Sequence, residues 1–211
     1  MKKTTTALMI AASLSILPAC GMEEANAPEL QESETLAAPD LGQTDSALSV
    51  GSYSFNLSAR GGSGGAASST ECPANYVAVG IHGRASNLVA SLGLVCRYLY
   101  TDGSLGAWYY TAATNGVYAG NSFDIQCPTG QVAVGVHGRS GIFLDALGVS
   151  CAYPNSWMNG SGVQSTTVKA GGTGGNAFSD ICPSQYVVRK LNLRSWDHLD
   201  QEQAVCNALM W

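Results

Sequence analysis

The chain has 211 residues, 15 of them acidic and 10 basic, for a net charge of -5 and only 12% charged side chains. A balance this weak and this acidic excludes the basic footprint of a nucleic-acid-binding protein. The length leaves room for one or two modest domains.

Lys2 and Lys3 precede an apolar run over 7–17, with the charged start and apolar length of an export signal. The run ends "LPAC", which resembles the lipobox of bacterial lipoproteins, so residues 1–20 are expected to be a signal peptide. That resemblance implies a lipidated Cys20, a membrane partner reached through an N-terminal lipid anchor, and outer-membrane sorting from Gly21. Ordinary secretion is the alternative, with cleavage after "ANA" at Ala27, although Pro28 disfavours that cut. Residues 21–50 carry Glu23, Glu24, Glu29, Glu32, Glu34, Asp40 and Asp45, without one lysine or arginine. Few large apolar side chains are present to offset ordering entropy, so this segment reads as an acidic, disordered tether.

Residues 51–211 hold eight acidic and eight basic side chains and form a triplicated domain, with repeats at about 51–105, 106–160 and 161–211. Six cysteines stand at 72 and 96, 127 and 151, 182 and 206, each pair 24 apart and 55 beyond the last. The same step relates Pro73, Pro128 and Pro183, and also Arg84, Arg139 and Arg194. It relates the glycine loops "GGSGG" (Gly61, Gly62, Gly64, Gly65), "GVYAG" (116–120) and "GGTGG" (Gly171, Gly172, Gly174, Gly175). The triplication selects three local disulfides, Cys72–Cys96, Cys127–Cys151 and Cys182–Cys206. An exported chain is in a compartment where they persist, and each stabilises its repeat by roughly 3 kcal/mol.

Within the repeats the hydrophobic period is two. "SYSFNLSA" sets Tyr53, Phe55 and Leu57 against polar neighbours, and "YVAVGIHGR" sets Val77, Val79 and Ile81 against Ala78, Gly80 and His82. Further strands are expected over 92–99 and around 177–182, and no stretch carries a sustained helical stripe. The expected fold is all-β: three small antiparallel sheets closing one core around a common axis.

The segments that invite a chemical reading are mostly structural. His82 and His137 recur beside Arg84 and Arg139, but Asn192 replaces the histidine in the third copy, and no C-x-x-C appears; neither metal nor cofactor is expected. "GRSG" at 138–141 lacks the helix of a nucleophile elbow, and a glycosidase's paired carboxylates are not evident. The protein is therefore not expected to be an enzyme.

The stretch "VAVGVHGRSGIFLDALGV" resembles the end of jacalin-related lectin domains, whose GxxxD motif matches Gly141 and Asp145. The resemblance implies a β-prism, with three Greek-key sheets about a pseudo-threefold axis, and a carbohydrate or glycoconjugate as partner. The repeated Cys-Pro…Cys framework is also similar to vitelline membrane outer layer proteins. By resemblance, a sugar lies between the GxxxD loop of one repeat and the glycine loop of the next. The best site is Gly141, Ile142, Phe143, Leu144 and Asp145 with Gly171, Gly172, Gly174 and Gly175. A weaker one joins Trp196, Asp197, His198, Leu199 and Asp200 to Gly61, Gly62, Gly64 and Gly65, with Trp196 where the motif has glycine. The first repeat reads "SNLVA", with Ser86 and Ala90 at the motif ends, and faces the altered "GVYAG", so both losses fall in one site. An aspartate accepts sugar hydroxyls with charge-assisted strength, while glycines let the opposing backbone come close. The alternative is a structural or protein-binding envelope lipoprotein without sugar recognition.

Overall fold

The computed structural model describes residues 47–114 and 120–211. The signal segment with Cys20, the acidic segment up to residue 46, and residues 116–119 of the second glycine loop lie outside the described residues. In chain order the elements are β1 (Ser49–Asn56), β2 (Arg60–Gly61), β3 (Ala66–Glu71), β4 (Tyr76–Ala85), β5 (Val89–Leu99), β6 (Leu105–Tyr110) and β7 (Asn121–Gln126). Then follow β8 (Val132–Ser140), β9 (Leu144–Ala152), α1 (Pro154–Met158), β10 (Ser165–Thr166), β11 (Ala170–Gly171), β12 (Asn176–Ile181), β13 (Tyr186–Ser195) and β14 (Leu199–Met210). Leu48 is buried and its N–H donates to Thr101 O at 2.9 Å, so the folded domain takes in residues ahead of Gly51.

The strands form three antiparallel sheets, each a long central hairpin with shorter strands outside it. The orders are β1-β14-β13-β3 with β2 beside β14, β6-β5-β4-β7, and β10-β9-β8-β12 with β11 beside β9. Each sheet is shared between two repeats. A hairpin from one repeat is flanked by outer strands of the next, and the first repeat's β1 and β3 flank the last repeat's β13–β14. Val77, Ile81, Leu92, Leu94, Val136, Leu147, Leu191 and Leu193 of all three hairpins meet in one core.

The disulfides form as the spacing predicts: Cys72–Cys96, Cys127–Cys151 and Cys182–Cys206. Local in sequence, they are not local in space. Cys72 continues β3 of the first sheet while Cys96 lies on β5 of the next, and the other two pairs cross sheets in the same way. The three bonds thus staple the prism in a ring.

Two expectations about faces need correction. β4 buries Val77, Ala78, Val79, Gly80 and Ile81 together rather than alternately. A bulge between Ala78 and Gly80 breaks the period, and it recurs at Ala133/Gly135 and Val188/Lys190. The bulged carbonyls of Val79, Val134 and Arg189 accept the N–H groups of Cys127, Cys182 and Cys72 at 2.8–2.9 Å, which sets each cysteine at its seam. In β1, Tyr53 and Phe55 are exposed. This is an edge strand, its register shifts between Val50 and Ser54, and buried Leu48 and Leu57 anchor its two ends.

The short helix α1 had no periodic signal to announce it. Proline at its start suits a position with no intrahelical N–H partner, and Trp157 and Met158 are buried in the core. Trp157 Nε1 donates to Tyr186 O at 2.7 Å.

One core position breaks the symmetry. Leu92, Leu147 and Glu202 are related by the 55-residue step, and all three are buried. Neither carboxyl oxygen of Glu202 has a partner among the described residues. Glu202 pairs across the strand with Arg60, whose guanidinium grips Asp180 on β12 through two bonds of 2.6 and 2.5 Å. Burial, and after it the nearby Asp180 carboxylate, push the Glu202 carboxyl up to about 8 from the ordinary 4.5, with Arg60 pulling the other way. Between these values the unfolded chain has released its proton while the folded one keeps it, so stability falls as pH rises through that window. The fall is at most ~1.4 kcal/mol per pH unit. Glu202→Leu, which copies the residue of the other two repeats, is expected to raise the melting temperature more at pH 8 than at pH 5. Thermal melts followed by circular dichroism at the two pH values check this; an equal gain at both would contradict it.

Candidate carbohydrate-binding site

Each central hairpin turns at the same end of the prism, and the three turns are closed by the same backbone bond. Ser86 N–H donates to Leu88 O, Gly141 N–H to Phe143 O and Trp196 N–H to His198 O, at 2.9–3.1 Å. The first of these turns has Ala90 where the others have aspartate. The turn therefore forms without the carboxylate, and Asp145 and Asp200 are not its caps.

Because the outer strands come from the next repeat, a glycine loop lies beside each turn. Gly172 N–H donates to Asp145 O at 2.8 Å, and Gly62 N–H to Asp200 O at 2.8 Å. Gly174 and Gly175 press against the Asp145 carboxylate so closely that a Cβ on either would collide with its oxygens. Gly175 also has a positive φ of 59°, which L side chains rarely adopt. Gly64 and Gly65 enclose Asp200 likewise; a Cβ on either would come within 2.6 Å of its carboxylate. The structure thus brings together Asp145 with 171–175 and Asp200 with 61–65, the pairs expected from sequence.

The side chains divide. Ile142 stands out in solvent, and Phe143 is half-buried beside His198, ring centroids 6.4 Å apart. Leu144 and Leu199 are fully buried core residues, so only their backbones can face the loops. They open β9 and β14, where alternation turns their side chains inward. Asp145 is half-buried, whereas Asp200 is only 8% exposed and its Oδ2 has no partner among the described residues. Trp196 is 75% exposed and Asp197 is exposed as well, so the indole stands outside the loop and does not fill it. Ser86 and Asn87 are exposed and Ala90 is buried; Gly120 is the described part of the loop opposite.

The residues that hold these loops are three arginines. Arg139 donates from Nε and Nη2 to Gly174 O and Gly175 O, both at 2.7 Å, and Arg194 does the same to Gly64 O and Gly65 O at 2.8 Å. Arg84 donates from Nη2 to Gly120 O at 2.9 Å, and the residue before Gly120 lies outside the described residues. The planar fork suits two adjacent carbonyls and fixes the glycine loop beside the turn. Recurrence of arginine at 84, 139 and 194 in step with the glycine loops was the signal for this role. The histidines serve the scaffold. His82 Nε2 bonds to Thr111 O at 2.9 Å, and burial, then Lys169, push His137 below its ordinary value. Among the described residues no three His, Cys, Asp or Glu side chains converge as a metal site.

The arrangement offers a carboxylate acceptor, exposed glycine backbone and a flanking apolar side chain in Ile142. Such groups match a neutral ligand with adjacent hydroxyls and an apolar face.

No protein-family model and no curated protein matches the sequence. Solved structures do match. Wild-type Malaysian banana lectin shares 14% identity over 74% of this chain and 99% of its own, with a TM-score of 0.53. Champedak mannose-binding lectin shares 16%, over 74% and 98%, at 0.54. Single-chain recombinant jacalin shares 14%, over 74% and 95%, at 0.55. At these identities the likeness is one of fold, and this chain has the β-prism architecture of the jacalin-related lectins.

Proposed function

We propose that the chain is a non-catalytic, carbohydrate-binding lectin, exported and held at the outer membrane or cell surface through lipid on Cys20. The observation that carries the binding half is the setting of Asp145. Its carboxylate is enclosed by glycine backbone that Arg139 holds in place, yet the equivalent turn in the first repeat folds with alanine. A group the fold does not require, kept in two of three copies with its glycines, is explained by a ligand. Asp145 would accept ring hydroxyls, the N–H groups of 173–175 would donate, and Ile142 and Phe143 would cover an apolar sugar face. Asp200 with 61–65 forms a second, weaker site, because its carboxylate is more deeply buried.

Methyl α-mannoside is the first probe, since artocarpin, a fold neighbour, is described as having mannose specificity. In calorimetry Asp145→Ala should lose ~1.5–3 kcal/mol of binding, roughly a ten- to hundredfold fall, with its near-ultraviolet circular dichroism unchanged. Asp200→Ala should lose less. Unaltered affinity in folded Asp145→Ala would refute the site.

The leader makes a separate prediction. Wild-type protein should fractionate with membranes, and Cys20→Ala should be released or accumulate uncleaved. Equal release of both as soluble protein would refute the anchor.

A further inference from the structure

We propose that the outer face of the β6-β5-β4-β7 sheet is a second kind of glycan surface, which takes a flat, β-1,4-linked hexose chain. It shares no residue with the end loops and does not rest on their reading. Alternation along β6 sends Trp108 and Tyr110 to one face, and Trp108 is 51% exposed. The Arg97 guanidinium lies 4.5 Å from the Trp108 ring centroid, and Nε donates to Gly106 O at 2.9 Å. Tyr110 packs edge-on against His82, centroids 5.3 Å apart, and its hydroxyl donates to Asp124 at 2.9 Å. Gln126 donates to both Tyr110 and Asp124, at 3.2 and 2.8 Å, so the rings and planar polar groups are fixed in advance. Beside them is a cavity of about 150 Å³ lined by Arg97, Trp108, Gln126, Thr129 and Gln131.

The chemistry selects the occupant. One cation, Arg97, and one anion, Asp124, cancel, and both are engaged by the protein, so neither a phosphate nor a basic peptide is favoured. β6 is an edge strand, but its two aromatic side chains stand on the face of the sheet and not along the hydrogen-bonding edge that strand addition by a peptide uses. Exposed ring faces beside amide, hydroxyl and guanidinium groups suit a neutral sugar. A chain with equatorial linkages lies flat and offers C–H faces to the rings. The outer face of the β1-β14-β13-β3 sheet is polar and charged, lined by Ser52, Ser54, Asn56, Glu71, Arg189 and Lys190; by strand register Ser54 stands there in the place of Trp108, and Thr166 of the next repeat stands in the place of Tyr110. The β6-β5-β4-β7 sheet is also the one whose end loop carries Ser86 and Ala90 in place of glycine and aspartate.

The test is binding to immobilised cellohexaose, with maltohexaose as the α-linked control. Wild type and Asp145→Ala should bind cellohexaose alike and ignore maltohexaose. Trp108→Ala and, separately, Tyr110→Ala should weaken binding by roughly tenfold or more. Both side chains are about half exposed, so their removal leaves the core and disulfides in place. Three results would overturn the proposal: no binding by wild type, undiminished binding by both aromatic variants, or loss in Asp145→Ala alone. The last would return the chain to the end loops and leave the lectin reading standing.

Discussion

The structure depends on one displacement: the unit that repeats in sequence is not the unit that folds as a sheet. Each repeat supplies the outer strands of one sheet and the central hairpin of the next. A repeat in isolation would leave both parts with unpaired edges, so the three can satisfy their backbones only together. The ring closes where β1 and β3 pair with β14 and β13, joining the two ends of the domain in one sheet. Many of the contacts that define the fold are therefore distant in sequence, which is costly in loop-closure entropy until the last strand docks.

Covalent chemistry answers that cost. A repeat in which outer strand and hairpin belong to different sheets can place a cysteine in each and bridge two sheets with a sequence-local bond. The bulges at Val79, Val134 and Arg189 present the carbonyls that receive the outer-strand cysteines. The Cys-Pro turn that follows is closed by Tyr76, Gln131 and Tyr186 N–H groups donating to Pro73, Pro128 and Pro183. The same displacement puts the glycine loop of one repeat beside the hairpin turn of the one before it.

Much of this was legible in the sequence because triplication multiplies every signal. Cysteine spacing gave the disulfides; of the loop opposite Ser86 and Ala90 only Gly120 is among the described residues. Pairing of Asp145 with 171–175 came from family resemblance, and the backbone bonds agree with it. Alternation misled where it was local. It could not register the bulge in β4, nor that Tyr53 and Phe55 lie on an edge strand with nothing packed over them. Helix α1 is too short to show a period, and Leu144 and Leu199 look like loop residues until the strands that begin with them are seen. The arginine clamps were visible as a recurrence, but their partners, backbone carbonyls of glycine, leave no mark in a sequence.

Pseudo-symmetry also separates what the fold needs from what it merely accepts. Positions that agree in all three copies, such as the cysteines, the arginines and the turn-closing bonds, carry the scaffold. Positions that differ have been released from it: Ala90 against Asp145 and Asp200, Glu202 against Leu92 and Leu147, Trp108 against Ser54. Each departure has a local cost or exposure that the scaffold alone does not explain. Glu202 gives up apolar packing and buries a carboxyl, and Trp108 places an indole half in water. Three copies of one unit thus provide an internal reference state. Against it, the aspartates at one end and the aromatic face on one side stand out as additions to a prism that would close without them.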